Sequence, residues 1–349
     1  ELIIAPGDYV FAVSYGGDFL GLPQEVHVHL QAGDDRYMEV QLELMARPAE
    51  QGWYGVDLHH HGDVLDGVTS PEFVLRSQLA CGLDVALLSD HDATDRNDIM
   101  AGLAAKRNIP FIPAMEISPA WGHFNIYPVT SRVELGLDPG TSTAAEIFDH
   151  ARELGAEVVA INHPYSTYGY LRSLDLGVAP GGYVPNFDLM EINYQYPVEQ
   201  TLHKIWEYWN QGKPVYLTAG TDTHSVWQDT SGAVRMYVHI QGQLKASAVI
   251  AALKAGCSFA TYGPLVFPEV PFGQEVEVGK GEDLRLVYDL VAVHGLTDVQ
   301  LIHGGEVAEC RGLNGEVHMR QVRFTLRPIQ DGWYALVVSD ARGHRAFTN

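Results

Sequence analysis

Asp57-Leu58-His59-His60-His61 is the stretch on which the reading of this chain turns. It extends the apolar strand signal around Val56. On an extended strand, residues two apart point to the same side, so His59 and His61 can reach one cation. His60 then points the opposite way and reads as a packing residue. Alone the pattern is weak: His27-Val28-His29 has the same spacing and reads as an exposed strand face. Its weight comes from the clusters that follow.

Asp66 lies in the loop beyond. Asp90-His91-Asp92 follows the run Asp84-Val85-Ala86-Leu87-Leu88-Ser89, and Glu116 ends the run at 111–115. His123 opens Phe124-Asn125-Ile126-Tyr127. Asn162-His163-Pro164 ends Val158-Val159-Ala160-Ile161, and Asp222-Thr223-His224 follows Val215-Tyr216-Leu217-Thr218-Ala219. Each cluster begins or ends a strand signal, and none sits in the middle of a helical one.

Helical patterns alternate with these strands. One starts at Ser70, with Pro71 in its first turn and Gly82 just past its end. Others cover about 98–106, 143–154, 199–210 and 245–255. Such alternation predicts a parallel sheet with helices outside it, and about seven units favour a closed or distorted barrel. Barrels place their chemistry at strand C-termini. Residues 1–49 read as N-terminal strands, with alternation at 25–30 and 38–44, possible partners of the C-terminal module. Residues 53–255 read as the barrel. Residues 257–349 read as a C-terminal β-sandwich, with strands near 284–293, 299–301, 322–326 and 333–338. The fold class is therefore α/β.

The bulk numbers fit one barrel plus an appended module: 349 residues, 46% of them hydrophobic. Against 22 Lys+Arg stand 44 Asp+Glu, a net charge of −22 with no basic stripe. That surface repels nucleic-acid phosphates, so bulk nucleic-acid binding is not expected. An anionic substrate would need local positive charge, which metal ions supply. Cys81, Cys257 and Cys310 are widely spaced and read as buried free thiols. No apolar run is long enough for a membrane span. The first residue is Glu1. A cytoplasmic protein, or one exported after loss of an N-terminal segment, is the expectation.

Neutral imidazoles and carboxylates suit zinc, manganese or iron. The nine candidates His59, His61, Asp66, His91, Glu116, His123, His163, Asp222 and His224 exceed the needs of one catalytic ion and are enough for two or three. A carboxylate such as Glu116 can bridge two cations, and a shared water then ionises near neutrality. Other readings fare worse. There is no Gly-x-Ser-x-Gly elbow, no P-loop, and no dinucleotide motif around Gly279-Lys280-Gly281.

The ordered set Asp57-Leu58-His59-His60-His61 with Asp66-Gly67, Ser89-Asp90-His91-Asp92, Glu116-Ile117-Ser118, Gly122-His123, Asn162-His163-Pro164 and Gly220-Thr221-Asp222-Thr223-His224 resembles the PHP (polymerase and histidinol phosphatase) superfamily. The resemblance covers about residues 53–255. The stretch from Gly122 to Pro128, together with Thr261-Tyr262-Gly263-Pro264, Gly332-Trp333-Tyr334 and Ala346-Phe347-Thr348-Asn349, resembles the CehA/McbA-like branch. The resemblance implies a distorted seven-stranded (βα) barrel with a β-sandwich behind it. It also implies three metal sites: His59, His61, Glu116 and Asp222; Glu116, His123 and His163; and Asp66, His91 and His224. Leu65 departs from the polar residue common before the Asp-Gly pair. Asp57 and Asp90 are expected to accept hydrogen bonds from ligand imidazoles, with a structural role open for Asp57.

The expected activity is phosphoester hydrolysis by a hydroxide bridging a di- or trinuclear centre. Glu116 is the bridge, and Asp66, His91 or His224 protonates the leaving oxygen. Arg96 and Arg172 are candidate contacts to a small anionic substrate. An alternative is carboxyl or carbamate ester hydrolysis, with an aromatic wall from Tyr165, Tyr168, Tyr170, Tyr194, Tyr196 and Trp227. A third, of another class, is an inert binding protein.

Overall fold

The structure is a computed structural model, and it describes residues 2–129, 133–193 and 196–349. Two strands open it, β1 (Gly7–Val13) and β2 (Gln24–Leu30), paired antiparallel from Gly7 opposite Leu30 to Val13 opposite Gln24. They form a sheet of their own rather than adding to the C-terminal one. Residues 38–44 keep their alternating exposure but join no ladder. A period of two supplies a face, but a strand also needs a free edge to pair with.

From Trp53 the elements alternate. β3 (Trp53–Val56) leads to α1 (Pro71–Ala80), β4 (Ala86–Leu88), α2 (Asn97–Ala105), β5 (Phe111–Pro113), β6 (Met115–Ile117) and β7 (Phe124–Tyr127). Then come α3 (Ala144–Glu153), β8 (Val158–Ile161), α4 (Tyr170–Asp175), β9 (Leu189–Asn193), α5 (Glu199–Asn210), β10 (Tyr216–Gly220), β11 (Arg235–His239) and α6 (Ala246–Lys254). Local chemistry sets several ends. Pro71 opens α1, where its missing N–H costs nothing. Thr143 and Glu146 form a reciprocal capping box at the start of α3.

Five strands make a continuous sheet in the order β10-β9-β8-β7-β6, and β4 pairs in parallel with β5. Single bridges, Val56 with Val85, His91 with Glu116 and His60 with Thr223, join β3, β4 and β6 to this sheet and to the segment after β10. The sheet is mixed, not all-parallel. β7 runs antiparallel to both β6 and β8, while β8, β9 and β10 are parallel. The β6–β7 connection at 118–123 holds no helix and is too short for a parallel crossover, so a hairpin results. Strands β4, β7, β8 and β9 are buried at every position, as expected of a sheet covered on both faces. None of the described helices is long and apolar enough to cross a membrane.

Strands β12 (Ser258–Thr261), β13 (Leu265–Pro268), β14 (Leu284–His303), β15 (Glu306–Leu326), β16 (Tyr334–Asp340) and β17 (Arg345–Thr348) follow. With β11 and β3 they form one eight-stranded sheet, so the ladder runs across the expected boundary near 256. β14 changes partner at an irregularity between Val291 and Leu296. It pairs with β13 before it and with β16 after it. Sequence patterning misses most of β15, whose first sixteen residues mix polar and apolar side chains and are buried at no position. Cys81 and Cys257 are half-buried and Cys310 is exposed, so the three free thiols are less buried than their sequence reading had them.

Candidate metal centre

The clusters read from the sequence meet at one rim. β3, β4, β8 and β10 deliver His59 and His61, Asp90 and His91, His163, and Asp222 and His224 from their C-terminal ends. His123 precedes its strand, yet β7 is antiparallel, so its N-terminal end lies at the same rim. Backbone bonds lock the rim: Asp222 N donates to His59 O at 2.9 Å, His61 N to Thr223 O at 2.9 Å, Asp92 N to Glu116 O at 2.8 Å and Asn162 N to His123 O at 3.0 Å. Leu65, Asp92, His163 and Asp222 hold positive φ, costly for non-glycine residues and concentrated at functional sites. Gly220 is required by close approach: a Cβ there would lie 2.3 Å from the Cβ of His59.

The nine side chains converge on Glu116. His59 Nε2 lies 3.1 Å from Glu116 Oε1 and 3.1 Å from Asp222 Oδ1. His61 Nε2 lies 3.0 Å from Asp222 Oδ1. His91 Nδ1 is 2.8 Å from Glu116 Oε2, His123 Nδ1 is 3.2 Å from Oε1, and His163 Nε2 is 3.6 Å from Oε1. Asp66 stands 3.5 Å from both His91 and His224. Ligand atoms within 4.8 Å of one another form three groups: His59, His61, Glu116 and Asp222; His91, Glu116 and His123; and His61, His91 and His224. The first is the set implied by resemblance. The other two differ from it because His91 sits between Glu116 and Asp66. His163 lies behind Glu116, and Asp66 reaches in from an exposed loop.

Asp57 and Asp90 depart from expectation, since neither bonds an imidazole. Asp57 accepts from Thr221 N at 3.0 Å, Thr221 Oγ1 at 2.6 Å, Gly232 N at 2.8 Å and His59 N at 3.3 Å. It clamps backbone, because just past β3 it faces the loop after β10 rather than the rings. Asp90 accepts from Gly62 N at 2.6 Å, and burial pushes its carboxyl up to about 6. His60 points away from the cluster, with Nε2 2.8 Å from Ser231 Oγ.

Glu191 escaped the sequence reading. It is buried, and its Oε1 lies 2.9 Å from His59 Nδ1 while its Oε2 accepts from His163 N at 2.7 Å. The available signal was a lone carboxylate inside the apolar run of β9. Asn162 Nδ2 donates to Glu116 Oε1 at 2.6 Å, and Ser118 Oγ lies 2.6 Å from His91 Nδ1. Arg96 is bound to Asp63 at 2.6 Å, and Arg172 is exposed on α4. Of the expected aromatic wall, Tyr168 stacks on His123 and Tyr196 stands beside His163. Tyr170 is buried with its hydroxyl on Gly182 O, and Tyr165 packs against the core. Trp227 is exposed, and Tyr194 lies outside the described residues.

Burial by itself would push the His59 ring down. The carboxylates of Asp222, Glu116 and Glu191 reverse this and hold it well above the usual range. Burial likewise pushes Glu116 and Asp222 up, but the surrounding imidazoles hold both well below the ordinary carboxylate range. Burial wins at His61, which is lowered to about 4. A neutral His61 beside ionised carboxylates is a cation-binding arrangement.

No protein-family model matches the chain. Over 113 residues it is 32% identical to a 3',5'-nucleoside bisphosphate phosphatase of Chromobacterium violaceum. That match covers 30% of this chain and 38% of the relative, so the chain spans well under two thirds of the relative's length. A solved two-domain protein from Bacteroides vulgatus, described as containing a predicted PHP-like metal-dependent phosphoesterase, superposes with a TM-score of 0.52 at 16% identity. The match covers 91% of this chain and 99% of that one. The chain therefore shares the fold of that two-domain protein.

Proposed function

We propose that the chain is a metal-dependent phosphoester hydrolase built around two or three divalent cations. One observation carries this: His59 Nε2 and His61 Nε2 lie 3.2 Å apart and both face Asp222 and Glu116. His59 Nδ1 faces a carboxylate, so a ring that gives up its Nε2 proton to a cation keeps the other on Nδ1. His224 Nδ1 faces Asp222 O, which can only accept, so that ring presents Nε2. The residues present thus fit the metal centre.

When bound, zinc, manganese or iron would supply Lewis acidity and an ionised water near neutral pH. Glu116, held by Asn162, would hold one cation together with His59, His61 and Asp222, and His91, His123 and His163 around the same carboxylate would hold another. On the open side, near Asp66, His91 or His224 would deliver the proton to the leaving oxygen, with Asp66 as the third candidate. The phosphatase activity of the C. violaceum relative supports a small phosphoester as substrate. Carboxyl or carbamate ester hydrolysis, by the same centre, is the second reading. Apolar side chains exposed beside Asp66 favour it. An inert binding protein would have no need of the full ligand set.

The single bridges complete a distorted seven-stranded barrel in this reading. Residues 53–255 form the catalytic unit, 257–349 the β module behind it, and 1–49 a flanking hairpin segment. The CehA/McbA-like assignment belongs to the same proposal. The test is metal analysis of the purified protein, then a panel of phosphate mono- and diesters, acetates and carbamates. His59→Ala must abolish turnover while the fold persists. Absence of both transition metal and hydrolysis sinks the reading.

A further inference from the structure

Exposure around the centre is lopsided. His59, His61 and Glu116 are fully buried, whereas the Asp66 side chain is 63% exposed and that of His224 29%. A substrate therefore enters and projects on the Asp66 and His224 side. On this side lie Leu65 at 76% exposure, Val68 at 67%, Trp227 at 70% and Phe73 at 42%. Exposed apolar side chains scattered singly are ordinary. These four sit on adjoining segments that bond each other beside the site: Val68 N donates to His224 O at 3.0 Å, and Val226 N to Thr69 Oγ1 at 3.2 Å. The rings of Phe73 and Trp227 are 5.2 Å apart. Leu65, next to Asp66, keeps a left-handed backbone at φ 56° while exposed, a cost that packing does not repay.

Among the described residues the nearby cations are already engaged, Arg96 with Asp63 and Arg76 with Glu72 and over the ring of Phe73. Asp66 adds negative charge. A second anionic group on the substrate finds no unpaired cation among the described residues here, while an uncharged apolar group has a surface.

We infer that Leu65, Val68, Phe73 and Trp227 form the leaving-group subsite, selecting esters whose leaving group is uncharged and apolar. This rests on the hydrolase reading, whose substrate class it narrows. The metal-loaded protein and its Trp227→Ala and Trp227→Phe variants would be compared on 1-naphthyl phosphate and methyl phosphate. The ratio of kcat/KM for the two substrates is expected to fall about tenfold in Trp227→Ala and to survive in Trp227→Phe. Calorimetry with 1-naphthylmethylphosphonate and inorganic phosphate supplies a second readout. Trp227→Ala should weaken the naphthyl probe about tenfold more than phosphate. A ratio unchanged within about twofold, or equal loss for both probes, overturns the subsite. If neither ester turns over but the naphthyl probe still binds through Trp227, the subsite stands and the hydrolase reading falls. If the naphthyl probe binds no better than phosphate, the subsite is wrong.

Discussion

The Nε2 atoms of His59 and His61 lie 3.2 Å apart in a fully buried pocket, with Asp222 Oδ1 about 3 Å from each. Buried carboxylates packed against two inward-facing ring nitrogens make a place for positive charge. A cation that binds only the folded state stabilises it by mass action, about 2.7 kcal/mol at a hundredfold excess over Kd. Chelation is expected to lower Tm by several degrees, with recovery on adding zinc or manganese. A melting curve indifferent to both treatments would refute this.

Glu116 lies within 4.0 Å of five imidazoles in the structure. Glu116→Gln keeps the volume and removes the charge. Turnover should fall at least about a hundredfold, and metal content per chain should drop. Elemental analysis alongside a kinetic assay reads both. Full activity in this variant would remove Glu116 from the centre.

Glu191 positions His59 from behind. Loss of such a partner typically costs about 10–100-fold in metal affinity. Glu191→Gln should show that loss in a competitive metal titration while the protein stays folded, and the deficit should shrink when metal is raised. An unchanged titration would leave Glu191 a purely structural carboxylate.

Asp57 accepts from Thr221 twice and from Gly232. Asp57→Ala would strand these buried donors, at about 1–3 kcal/mol each before relaxation. A urea midpoint shift equivalent to at least about 3 kcal/mol is expected. A shift below about 1 kcal/mol would show that water replaces the clamp.

Asp84 offers a pH test away from the cluster. Burial raises its carboxyl above the ordinary value of 3.8, against a hydrogen bond from Gly55 N and the Arg235 charge. The folded state then holds the proton more tightly than the unfolded state. Stability from this group is greatest below 3.8 and is lost as pH rises through the raised folded value. Asp84→Asn keeps an acceptor for Gly55 and removes the titration. Relative to wild type it should gain stability between pH 4 and pH 7. A constant difference across that range would contradict the assignment.

The candidate ligands were legible in the sequence because each stands next to a strand signal, and strands that share a sheet bring their ends to one rim. His123 shows the limit. Its place at the rim depends on β7 running antiparallel, which its apolar run does not encode. Glu191 was hidden by its apolar neighbours in β9, where a lone carboxylate does not announce its partner. Asp57 was read as a ring acceptor, since sequence cannot tell that its oxygens face the loop at 221–232. β15 was missed because an exposed ribbon needs no apolar period. The run at 38–44 was called because it has one.

Alternation at residues 59–61 has a further consequence. His60 turns toward Ser231 while its neighbours turn toward Asp222. The segment works as a reading frame. Many substitutions around it would be absorbed, but one inserted or deleted residue ahead of His59 would present His60 alone to the cluster and turn both partners outward. Side chains flanking the two inward imidazoles can therefore diverge, while the length of the segment cannot.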